Sequence, residues 1–185
     1  TFAANGIASN THVIQIHDLA IQPDGKILAM GRDSELFRIT RYLPDGTAEW
    51  NKHYNNGGAN HYGRGVIVQN DGDILLVGRS WIPTNIGLFR IDTNGTLEEK
   101  NYVDFGYTEF VNSVLELPDS RLLVIGDDGN GDMAVTRHYA DGALDTTFGT
   151  SGKLSIPVLN DSDTGYRASL QADGKILITG YSDNG

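Results

Sequence analysis

The chain has 185 residues, 39% of them hydrophobic and 21% charged, which suits one folded domain burying roughly 70% of its unfolded surface. Asp and Glu outnumber Lys and Arg by 24 to 14, a net charge of −10 with no basic run, so phosphate-driven nucleic acid binding is set aside. With no cysteine there are no disulfides, thiolate metal sites or cysteine nucleophiles, and no apolar stretch approaches the ~20 residues that a membrane helix needs.

In chain order, residues 1–10 match a later seam: Thr1-Phe2 with Gly6 parallels Thr147-Phe148 with Gly152, so the chain opens in mid-repeat. A first short segment then leads into a turn at Leu19-Ala-Ile-Gln-Pro-Asp-Gly25. It returns at Val66–Gly72, Val114–Ser120 and Ala168–Gly174. Proline presets φ, Asp bonds its own backbone and Gly accepts positive φ, so each is a turn with a mechanism. Behind the turn comes an apolar run (Ile27–Met30, Ile74–Val77, Leu122–Ile125, Ile176–Thr179), closed by Gly31, Gly78, Gly126 and Gly180. Such a run predicts a strand covered on both faces.

A third segment aligns on Arg41, Arg90 and Arg137, each four residues before Asp45, Asn94 and Asp141. Its apolar residues alternate at period two, as Phe37 with Ile39, Ile86 with Leu88 and Met133 with Val135 do, which predicts one buried face. A second Asp-Gly or Asn-Gly turn leads to a polar fourth segment around Thr47–Trp50, Thr96–Lys100 and Ala143–Thr147, an edge strand that resists stray pairing.

The repeated aspartates, Asp24, Asp71, Asp119 and Asp173, lie 47, 48 and 54 residues apart. A period of that size kept through four copies marks a repeat architecture. The expected fold is all-β: a β-propeller-like array of four-stranded antiparallel blades, three complete units and a partial fourth, in an incomplete ring. The units are approximately residues 1–49, 50–98, 99–146 and 147–185 of a single domain. A sandwich would also show short strands, but not equivalent residues in equivalent strands. The last unit stops after its second strand. The array therefore reads as a segment of a longer protein, or as a part-ring completed by a second chain.

Gln22-Pro-Asp-Gly-Lys-Ile-Leu28, Arg41 with Asp45-Gly46, Arg137 with Asp141-Gly142, and Leu144-Asp-Thr-Thr-Phe-Gly149 together resemble the delta-60 repeat, a bacterial β-propeller-type family. The second copy departs from it, with Asp73 in place of Lys and Leu97-Glu-Glu in place of Leu-Asp-Thr. The resemblance implies exported or surface proteins of bacteria. It carries no catalytic or binding residues, because the family is functionally uncharacterised.

The residues themselves offer few chemical sites. The repeated arginines read as internal braces, their guanidinium forks bonding turn carboxylates or carbonyls. Asp128, Asn130 and Asp132, beside Asp127, have calcium-loop spacing. Met133 and Tyr139 nevertheless stand where such a loop needs Gly and Glu, and Asp161, Asp163 and Gly165 form an even looser set. No zinc spacing, nucleophile elbow or phosphate loop occurs, so no enzyme, metal or cofactor is expected.

One region departs from the repeat. Trp50, His53, Tyr54, His61, Tyr62 and Trp81 fall in or near the second unit among Gly- and Asn-rich loops. Rings flanked by amides suit a sugar surface, whereas the plainer reading makes them plugs between blades, Trp50 above all in its fourth-strand position. The expected function is a non-catalytic, extracellular or cell-surface binding module for a glycan or protein, with those six residues as candidate contacts. The alternatives are a structural spacer in a larger surface protein and an enzyme with an undetected site.

Overall fold

The computed structural model describes residues 6–8, 15–32, 37–54, 62–81, 84–105, 110–158 and 162–183, with only the backbone of Ser80, Trp81 and Thr84. The described residues form strands and turns. The first sheet holds β1 (Gln15–Ile21), β2 (Ile27–Arg32), β3 (Phe37–Tyr42) and β4 (Ala48–Tyr54). The second holds β5 (Tyr62–Val68), β6 (Ile74–Trp81), β7 (Thr84–Ile91) and β8 (Leu97–Val103). The third holds β9 (Phe110–Glu116), β10 (Leu122–Asp127), β11 (Met133–His138) and β12 (Lys153–Ile156), and β13 (Asp163–Leu170) pairs with β14 (Ile176–Ser182). Each sheet is an antiparallel meander in chain order. The first strands β1, β5, β9 and β13 touch one another in succession, so the four sheets stack as blades with these strands innermost.

The turns work as their residues dictate. In all four copies the repeated aspartate accepts the N–H two residues on, at 3.1 Å for Lys26, Asp73, Arg121 and Lys175. Gly25, Gly72 and Gly174 take φ of +82°, +95° and +82° behind it, and Ser120 takes +62° in the third copy. At the second turn Asp45 and Asp141 hold Thr47 and Ala143 in the same way. In the second blade Asp92, not Asn94, supplies the carboxylate, accepting from Asn94 and Thr96 at 2.8 and 2.6 Å.

Second strands supply the core from both faces, as their continuous apolar runs require. On β6, Ile74 and Leu76 pack with Leu28, Met30 and Phe37 of the first blade, whereas Leu75 and Val77 pack with Val111, Leu122 and Val124 of the third. A third, smaller cluster of Leu123, Ile125 and Val135 packs against Ala168 and Ile178 of the last sheet. Phe37 and Phe89 meet edge to face across the first interface, with ring centres 4.8 Å apart.

Two expectations need correction. Third strands are buried on both faces: β7 buries Phe89 and Ile91 as well as Ile86 and Leu88, and β3 and β11 fill the second face with Thr40, Tyr42, Thr136 and His138. Period-two reading failed because polar side chains also fill that face once they find partners. His138 Nδ1 bonds the Gly142 carbonyl at 3.0 Å, and its Nε2 bonds the Thr136 hydroxyl at 2.8 Å. In the third unit, Ala143–Thr147 is no strand. Asp145 accepts the backbone and hydroxyl of Thr147 at 3.1 and 2.6 Å, which turns the chain, and the outer strand forms only at Lys153–Ile156.

Candidate functional site

The repeated glycines lead to the site. A Cβ built on Gly31, Gly78, Gly126 or Gly180 would lie 1.9, 2.1, 1.8 or 2.1 Å from the carbonyl oxygen of Gln15, Tyr62, Phe110 or Thr164 on the adjoining inner strand. No side chain fits that gap, which is why each copy ends its apolar run on glycine. The carbonyl stands so close because each inner strand carries a one-residue bulge at this level. The register jumps between Ile16 and Asp18, Gly63 and Gly65, and Gly165 and Arg167, and Asn112 is passed over between Val111 and Ser113. A bulge bends its strand and re-aims a side chain. The bulged residues are His17, Arg64, Asn112 and Tyr166, each seven residues before the repeated aspartate. One structural position thus holds four different chemistries.

The residues after the glycines, Arg32, Arg79, Asp127 and Tyr181, stand at the same end of the blades. Two hollows open there, divided by Phe110. The hollow between the first two blades, of about 360 Å³, is lined by His17, Arg32, Tyr62, Arg64 and Arg79. Arg32 lies over the Tyr62 ring at 4.6 Å and donates through Nε to Gln15 at 2.9 Å. Arg79 lies over Phe110 at 4.2 Å. Arg64 reaches His17 Nδ1 at 3.5 Å, and burial, with Arg64 and Arg32 nearby, lowers the His17 pKa.

The second hollow, of about 480 Å³, is lined by Asn112, Asp127, Asp163 and Tyr166 among others. Burial pushes the Asp127 carboxyl up to about 6, against the pull of the Gly129 N–H. Asn112 donates to the Gly165 carbonyl at 2.9 Å, tying the third blade to the last sheet. Deeper along the inner strands, Asp18 accepts the Val66 N–H at 3.0 Å and pairs with Arg167 of β13 at 3.2 Å.

Of the acidic sets singled out in the sequence, Asp128 and Asp163 are buried, whereas Asn130 is exposed. Asp128 accepts the N–H groups of Asn130 and Asp132 at 2.9 and 3.1 Å, and the Ser155 hydroxyl at 2.8 Å. Asp163 is fully buried and accepts the Val158 N–H at 2.7 Å and the Ser182 hydroxyl; Asp161 lies outside the described residues. No group of three His, Asp or Glu among the described residues could hold a metal. The arginine series forms braces, though to acids eight residues on. Arg41 bonds Glu49 at 2.6 Å and the Thr93 carbonyl of the next blade, Arg137 bonds Asp145 at 2.7 Å, and Arg90 lies 3.8 Å from Glu98. Arg90 bonds Asp71 and Asp73 more closely, at 2.7 and 2.5 Å.

The described ring residues do not gather. Trp50, His53 and Tyr54 lie on β4, an outer strand, and Tyr62 lies on β5, an inner one. Trp50 packs against the first interface under Arg41 and Lys52, at 4.8 and 5.4 Å. Tyr54 is buried and donates to the Gly95 carbonyl at 2.6 Å, so both are engaged between blades. His53 is exposed on the opposite face of β4. His61 and the Trp81 side chain lie outside the described residues. Among the described ring residues, Tyr62 lines a hollow. Sequence reasoning missed the bulged residues, although their constant offset from the aspartate was a signal.

A family described as "Domain of unknown function (DUF5122) beta-propeller" matches residues 22–49, 69–99 and 117–148. No curated protein matches the chain. A solved protein of unknown function from Bacteroides caccae shares the fold at TM-score 0.57 and 14% identity, over 89% of this chain and 52% of its own. A gluconolactonase from Xanthomonas campestris does so at 0.58 and 15%, over 95% of this chain and 57% of its own. The chain therefore spans just over half the length of these two structures, and at such identity the likeness extends to fold alone. Three matched copies, on three antiparallel blades with a further half-blade in an unclosed array, make this chain a β-propeller repeat protein.

Proposed function

We propose that the chain is a non-catalytic recognition module of the delta-60 repeat type, acting outside the bacterial cell or at its surface. Its glycan or protein ligand seats at the end of the blades where the bulged residues gather. The observation that carries this reading is the bulge itself. A repeat that copies its turns, braces and core from blade to blade places His17, Arg64, Asn112 and Tyr166 at one equivalent position, beside two hollows. Side chains kept for packing repeat with the scaffold, whereas side chains kept for recognition follow the ligand. Further blades, from the same parent protein or a second chain, would extend the seat.

A glycan array probed with the purified chain, with calcium and again with EDTA, tests this reading. Defined hits are expected, weakened in both R64A and Y166A with the melting temperature kept. A blank array, or hits indifferent to both substitutions, would leave the spacer role as the better account.

A further inference from the structure

The hollow between the first two blades gathers positive charge in a chain whose net charge is −10. Arg32, Arg64 and Arg79 line it together, and among the described residues no carboxylate forms an ion pair with Arg32 or Arg64. Elsewhere the arginines find acids readily, as Arg41, Arg90, Arg121, Arg137 and Arg167 do. Like charges held in one hollow repel, and the repulsion is visible in Arg64, whose pKa burial and Arg32 both lower. His17 adds a buried Nε2 with no hydrogen-bond partner. With Nδ1 taking the Arg64 contact, Nε2 carries the proton and lacks an acceptor.

The two aromatic rings bear on the kind of ligand. Tyr62 has Arg32 over its face and Phe110 has Arg79 over its own. One face of each ring is therefore taken by a guanidinium group and is closed to a neutral sugar. A guanidinium held over a ring can still turn terminal N–H groups to a planar, two-oxygen anion and bond it in pairs.

We propose that this hollow is a carboxylate seat, taking the acid group of a uronic acid residue or of a free organic acid between Arg32 and Arg64, with Arg79 behind. It rests on the recognition reading above and narrows its ligand to one chemistry. The volume of about 360 Å³ admits a ligand the size of one sugar ring and its carboxylate.

Calorimetric titration of the whole chain with trigalacturonate, citrate and neutral galactotriose tests it, using the wild type, R64Q, R32Q and R64K. The expected result is binding of one or both acids, at least tenfold tighter than galactotriose, weakened about tenfold in R64Q and R32Q. It should weaken also between 50 and 300 mM salt. R64K should fall between wild type and R64Q, because it keeps the charge and loses the fork. Trigalacturonate alone would assign the seat to a glycan, and citrate alone to a free acid. Equal affinity of the acids for wild type and both glutamine variants overturns the proposal, provided melting temperatures show all are folded. No binding of either acid overturns it too. If R64A then still abolishes a neutral array hit, the recognition reading stands and only the carboxylate assignment falls.

Discussion

At the scale of single residues, conformational and ionisation energies are separable. Ser120 sits at φ +62° where three sister turns have glycine. A side chain in the left-handed region costs on the order of 1 kcal/mol, so S120G should raise the melting temperature by about 2–4 °C. Two groups, one fully buried and one half-buried, are shifted in opposite senses. His138, fully buried and bonded through both ring nitrogens, is held down at about 4 by burial, below its ordinary 6.5. Its lowered value means that the unfolded chain takes up a proton first, so stability falls as pH drops from about 6.5 to 4. H138Q should be less stable at pH 7 yet lose less on acidification, read by calorimetry across that range. Asp127 is raised from 3.8 to about 6, so its charge burdens the folded state above pH 6 and the burden fades towards pH 4. D127N should gain about 1 kcal/mol at pH 7.5, discounted because the group is partly solvated, and progressively less as pH falls towards 4.

At the scale of elements, the inner-strand bulge and the second-strand glycine form one device. In G126A the new Cβ would meet the Phe110 carbonyl at 1.8 Å, and backbone cannot swing aside as a flexible side chain does. The expected loss is roughly 3 kcal/mol. G72A has open space, with Thr93 no nearer than 3.8 Å, and should lose only about 1 kcal/mol through its φ of +95°. Denaturant titration of both variants separates clash from conformational strain. Much at this scale was legible. Asp-Gly turns and unbroken runs such as Ile74–Val77 named the second strands, because covering both faces leaves a mark in composition. Bulges leave no such mark: one inserted residue changes register without changing residue type, so His17 and Arg64 read as ordinary loop or strand positions. Two of the rings serve as plugs between blades. Trp50 and Tyr54 stand among polar neighbours in sequence, yet Lys52 and the Asn94–Gly95 turn of the next blade cover them in space.

At the scale of the molecule, stability is a chain of interfaces between neighbouring blades. Phe37 and Phe89 anchor the first, Leu75 and Leu122 the second, and the third rests on three buried residues. The last sheet has two strands, with Ile176, Leu177 and Tyr181 exposed. Hydrogen exchange should therefore be fastest through β13 and β14 and slowest on β6, whose residues face two interfaces. L76A should cost about 3 kcal/mol and speed exchange in the first two blades together, whereas Leu123→Ala should loosen β13 and β14 before it affects β2.

Because a carbonyl fills the space that a Cβ would need at Gly31, Gly78 and Gly126, the bulge is imposed by backbone alone. If the bulged positions carry recognition as proposed, fold and specificity are encoded by different residues. Positions 17, 64 and 166 can be randomised together as a combinatorial library, with the glycines, the turns and the Asn112 tie to Gly165 untouched. The same blades should then yield binders whose chemistry is chosen at three codons, with unfolding behaviour close to that of the parent.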